Sequence, residues 1–130
     1  MSGVHKHLLV TGYTYDVMGR DHIGFLRDWF ERLVDKVGME VLISPQIVYC
    51  EDPTNEGITG IVCITTSHAT IHQWLKQEPF YKFDLYSCKE YLIDDVFDML
   101  KELTTHTVSY TVIDRADESH PKIESGIKIL

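Results

Sequence analysis

What this sequence lacks narrows the field before any motif is considered. It has no apolar run near the ~20 residues that a membrane-spanning helix requires, so no membrane partner is expected. It is short of basic charge: 12 lysines and arginines stand against 20 aspartates and glutamates, a formal net charge of -8. Such a surface repels a phosphate backbone, so no nucleic-acid partner is expected, while a cationic small molecule would be tolerated. The three cysteines (Cys50, Cys63 and Cys88) are odd in number and share no CxxC spacing, which argues against a disulfide framework or a zinc knuckle. Low-complexity tracts and short-period repeats are also missing. Residues 1–7 do not run from charged to apolar as a signal peptide does, so a cytoplasmic protein is expected.

What is there is the composition of an ordinary globular chain. The 130 residues are 44% hydrophobic and 25% charged, enough for one domain with one core over residues 1–130. Alternation predicts a first strand at residues 7–15. A helix follows at about 21–37, where Ile23, Leu26, Phe30, Leu33, Val34 and Val37 recur at spacings of three and four and make one apolar stripe. Asp21 is its expected N-cap and Gly38 its stop. Residues 39–49 read as a strand interrupted at Ser44-Pro45, and 52–57 as a turn. Strands are expected at 58–65, 70–74 and 82–87, with a reversal at Ser67-His68 between the first two. A second helix at about 93–103, a last strand at 106–113 and a mobile polar tail over 116–130 complete the chain. Two helices cannot cover both faces of so wide a sheet. The expected fold is therefore a two-layer α/β (α+β) sandwich, its sheet mostly antiparallel and both helices on one face. The uncovered face calls for a polar surface or a partner, and a homodimer is expected.

Chemistry-bearing side chains crowd into Thr65-Thr66-Ser67-His68-Ala69-Thr70-Ile71-His72. Period-2 geometry puts Thr70 and His72 on one face and Ile71 and Gln73 on the other. Residue types alone allow a polar turn whose histidines make ordinary hydrogen bonds. A metal site on His68 and His72 would need a further ligand that the segment does not contain, although Asp84 or Cys88 could come from a later strand, and no metal is expected. A serine-histidine hydrolase would want Gly-x-Ser-x-Gly, which is absent. The run Gly19-Arg20-Asp21-His22-Ile23-Gly24-Phe25-Leu26 is similar to the loop-to-helix start of small-molecule-binding ACT domains, but that reading leaves the Ser-His string unexplained.

The longer string from Thr59 to Trp74, with Ser67-His68, Thr70-Ile71-His72 and Trp74 in register, resembles the core of the small, prokaryotic-type S-adenosylmethionine decarboxylase proenzymes. In that family a buried strand runs into Glu-Ser-His-x-Thr-Ile-His-x-Trp. The segment Phe83-Asp84-Leu85-Tyr86-Ser87-Cys88 is similar to the family's Asp-x-Phe-Thr-Cys. The resemblance extends over residues 7–114 and is specific across 59–88.

It implies a pyruvoyl-dependent decarboxylase, acting on S-adenosylmethionine or a related amine and feeding polyamine synthesis. Its cofactor would be a pyruvoyl group made from Ser67 by autocatalytic cleavage between Thr66 and Ser67, giving fragments 1–66 and 67–130. The pyruvoyl carbonyl would serve as electron sink for loss of carbon dioxide, the work pyridoxal phosphate does elsewhere. By the same resemblance His72 is the processing base, Thr59 stands where the family has an assisting hydroxyl, and Cys88 returns a proton to the decarboxylated carbon. Trp74, with His68 and Thr70, would contact the small-molecule substrate. The chain departs from the pattern at Thr66, where the family has glutamate, at Leu75-Lys76, where it has Pro-Glu, and at Lys89, where it has glycine. The alternative left open is a non-processing, decarboxylase-like protein that binds a ligand or regulates a partner.

Overall fold

The computed structural model describes residues 3–130. Seven strands form a single antiparallel sheet: β1 (Lys6–Thr14), β2 (Val41–Cys50), β3 (Gly57–Ile64), β4 (Ser67–Trp74), β5 (Phe80–Ser87), β6 (Thr105–Asp114) and β7 (Lys122–Ile129). Their order across the sheet is β2-β3-β4-β5-β1-β6-β7, so the first strand is inserted between β5 and β6. Helices α1 (Ile23–Lys36) and α2 (Ile93–Lys101) pack on one another and on one face of the sheet, the two-layer α+β sandwich expected.

The apolar stripe of α1 does what its spacing demands: Leu26, Phe30, Leu33 and Val34 are buried, together with Trp29, whose indole N–H donates to the Met99 carbonyl at 2.8 Å and ties α1 to α2. Helix α2 contributes Val96, Phe97, Met99 and Leu100. On β4 the odd positions Ser67, Ala69, Ile71 and Gln73 face the helices, while His68, Thr70, His72 and Trp74 lie half-buried on the open face. Gly12 of β1 is required by packing, since a Cβ there would sit 2.0 Å from the buried Tyr81 ring.

Four expectations need correction. Asp21 does not cap α1: it lies in a short 3-10 turn, Arg20–His22, closed by the His22 N–H on the Gly19 carbonyl, and His22 occupies the N-cap. Gly38, at φ 75°, does end the helix. The reversal before β4 is at Thr65-Thr66 rather than Ser67-His68, because Ile64 and Ser67 already pair across the hairpin. The interruption at Ser44-Pro45 is a register shift between Ile43 and Gln46 within one continuous strand. Finally, the expected tail over 116–130 contains β7, which pairs with β6 along its whole length. Its Ile123, Ile127 and Ile129 project on the open face, and Tyr110 packs over Gly126, whose missing Cβ leaves room for the ring.

Candidate active site

The two-residue hairpin between β3 and β4 is strained. Thr66 takes φ 59°, the left-handed region that turns of this kind normally fill with glycine or asparagine. A β-branched residue there is a backbone outlier, costing about 1–2 kcal/mol. The strain lies immediately before Ser67, which is 9% exposed and opens β4. The Thr66 hydroxyl donates to the Thr65 carbonyl at 2.6 Å and lies 2.7 Å from the Cys88 Sγ. The Cys88 backbone N–H donates to the Ser67 Oγ at 3.3 Å. A cavity of about 340 Å³ opens beside these groups, with Met39, Glu40 and Lys89 on its rim. Lys89, where the resembled family has glycine, donates its ammonium to the carbonyl of Gly38, which lines the same cavity, at 2.6 Å.

The other expected residues do not join that cluster. Thr59 and His72 are directly paired across β3 and β4, with the Thr59 hydroxyl 3.0 Å from the His72 Nδ1. His72 stacks on Trp74 at 6.2 Å between centroids, and the Trp74 indole N–H donates to the Asn55 carboxamide oxygen at 3.0 Å. His72 is five residues along β4 from Ser67 and on the opposite face, which at strand rise separates their Cα atoms by about 16 Å. Within one chain, then, Ser67, Thr66 and Cys88 form one group, and Thr59, His72 and Trp74 another.

Between them, on the open face, lies a third group that the segment alone could not supply. His68 Nε2 is 3.4 Å and His7 Nε2 2.7 Å from the same oxygen of Asp84, Oδ2. The other Asp84 oxygen accepts from the Thr70 hydroxyl. Burial pushes the Asp84 carboxyl up, but the hydrogen bonds from His7 and Thr70 and the two nearby imidazoles outweigh it and hold the group below its ordinary range. A shallow cavity of about 430 Å³ runs alongside, with Thr70, His72, Asp84 and Lys82 on its walls. His7 was missed at the sequence level, since nothing local places β1 beside β5. Its only signal was parity on its own strand. Asn55, also missed, comes from the loop before β3 and carries no such signal.

Fold and site together define a one-sided α+β sandwich whose central hairpin presents a serine behind a strained peptide, with a thiol alongside. The sequence family described as S-adenosylmethionine decarboxylase matches residues 6–116. The chain belongs to that family. No curated protein matches the chain. Among the described residues, no helix is long and apolar enough to cross a membrane.

Proposed function

We propose that this protein is a self-processing, pyruvoyl-dependent decarboxylase of S-adenosylmethionine or a closely related amine, cleaved between Thr66 and Ser67. The observation that carries the reading is the left-handed Thr66 directly before a serine, with Cys88 drawn against both. Strain held at a peptide bond is a reason for that bond to react when a nucleophile lies beside it. The Ser67 Oγ adds to the Thr66 carbonyl carbon, the C–N bond breaks, and an ester replaces the amide. Removal of the Ser67 α-proton then breaks the ester C–O bond and releases the Thr66 carboxylate as the end of fragment 1–66. The enamine left on Ser67 takes up water and loses ammonia, which leaves the pyruvoyl group at the head of fragment 67–130. That group supplies an electron sink for the loss of carbon dioxide from an amine-bearing substrate. The Cys88 Sγ, already at the hairpin, is suited to hold the proton that the substrate carbon takes back.

His72 cannot serve as base for the Ser67 of its own chain across about 16 Å and the thickness of the sheet. The separation along the strand is closed in a homodimer that stacks open face on open face about a two-fold axis lying between the two sheets, perpendicular to the strands and over Thr70. There, the backbone of Ser67 at the end of β4, though not its helix-facing side chain, would be turned to the partner subunit's His72 as base for the α-proton. Exposed Leu9, Val48 and Ile61 on that face favour burial in such a pairing.

Denaturing electrophoresis with intact-mass measurement tests the reading. Fragments 1–66 and 67–130, the second with a blocked N-terminus, are expected. A chain that stays whole after long incubation overturns it and leaves a decarboxylase-like binding or regulatory protein. Co-expression tests the pairing: chains carrying Ser67→Ala and chains carrying His72→Ala each stay intact alone, whereas in mixed dimers the His72→Ala chain is cut. Mixed dimers that form and stay uncut remove His72 from this role.

A further inference from the structure

The open face carries a ligand set that the proposed cleavage does not use. We propose that His7, His68 and Asp84 form a site for one divalent first-row transition metal ion, of which Zn2+ is the reference case. Each residue offers one donor atom, and the three atoms lie within 4.8 Å of one another. Both imidazoles present Nε2 to the same carboxylate oxygen, at 2.7 and 3.4 Å. Ligands bound at about 2.0–2.1 Å to one ion sit roughly 3–3.4 Å apart, so the donors need only small adjustments to enclose it. Two imidazoles and one carboxylate from three adjacent strands make the three-ligand set of a four-coordinate site with one position left open. Magnesium and calcium, which prefer oxygen ligands, are disfavoured by the two nitrogens.

Support around the three residues is what separates a site from a chance meeting of polar groups. The Thr70 hydroxyl holds the far oxygen of Asp84, which fixes the plane of the carboxylate and keeps Oδ2 turned to the imidazoles. The Tyr86 ring lies 5.8 Å from both the His7 and the His68 rings and limits their rotation, and its hydroxyl is itself held by His5 Nδ1 at 2.7 Å. All three ligands sit on regular strands rather than loops, half-buried on the open face, so in the face-to-face dimer proposed above the open position is directed toward the partner's sheet. His72 is not part of the set, being directed to Thr59 instead.

The test is titration calorimetry of the metal-stripped, tag-free full chain with Zn2+ in excess Mg2+, with visible absorption of the Co2+-substituted protein as a second readout. One ion per chain is expected, with intense Co2+ bands. Asp84→Asn and His7→Ala should each weaken binding by about tenfold or more, whereas His120→Ala, at an exposed histidine, should not change it. If His7→Ala fails to fold, as circular dichroism would reveal, His7→Gln and Asp84→Asn decide the matter. Absence of saturable one-to-one binding, or equal binding by the folded variants, overturns the site. Neither result depends on whether the chain cleaves itself.

Discussion

Two threonines in this protein share the same unusual backbone conformation, and the contrast between them shows what strain alone can and cannot signify. Thr104 has φ 56° and Thr66 φ 59°. Thr104 follows α2, where a left-handed residue commonly ends a helix. Its carbonyl accepts from the Tyr15 N–H at 3.1 Å and its hydroxyl from the Asp16 N–H at 3.4 Å, so its contacts are those of a chain reversal tied to a neighbouring loop. Thr66 spends the same conformational energy in a hairpin where glycine would cost nothing, and its hydroxyl lies against a thiol with a serine next in sequence. Equal strain thus lies among the contacts of a chain reversal in one place and beside a serine and a thiol in the other. The surroundings, not the dihedral angle, carry the functional argument.

The largest effect that could break this contrast comes from the nucleophile. Ser67→Ala leaves both strained threonines in place and should abolish cleavage completely, as read by intact mass. Cleavage at residue 66 in that variant would mean that Ser67 is not what makes Thr66 special. Cys88→Ala comes next. Fragments should still form, but carbon dioxide release should fall by about 100-fold or more, the scale of a lost proton donor. Normal turnover would free the thiol from any catalytic part. Thr66→Gly ranks third, since it removes the strain while keeping the serine. If 1–2 kcal/mol of strain is released on the way to the ester, cleavage slows by about 5–30-fold.

The helices and the faces of β4 were legible in the sequence because they rest on local periodicity. The spacing of Leu26, Phe30, Leu33 and Val34 needs no knowledge of what they pack against, and the alternation of His68, Thr70, His72 and Trp74 with buried neighbours follows from the pleat. The same parity separates Ser67 from His72, so their opposite faces were also implicit. What the residues could not disclose was non-local. His7 meets Asp84 only because β1 enters the sheet beside β5. Strand β7 was hidden because Ser125-Gly126 interrupts its apolar alternation, and the compensating contact comes from Tyr110 on β6. The reversal was misplaced by two residues because threonine at a positive φ has no sequence signature.

The smallest expected effect is also the control for the whole comparison. Thr104→Gly should relieve about 1–2 kcal/mol of left-handed strain, against roughly 0.5–1 kcal/mol for the greater freedom of glycine in the unfolded chain. The net gain is about 0–1.5 kcal/mol, or a melting temperature raised by up to about 5 °C. Measured in the Ser67→Ala background, where only uncut chain is present, Thr66→Gly should raise stability by a similar amount. The two glycines should then part company in the self-cleaving chain, with Thr104→Gly leaving the cleavage rate unchanged while Thr66→Gly lowers it. If both slow cleavage equally, the effect comes from stiffening the whole fold, and the strain at Thr66 has no privileged place in the reaction.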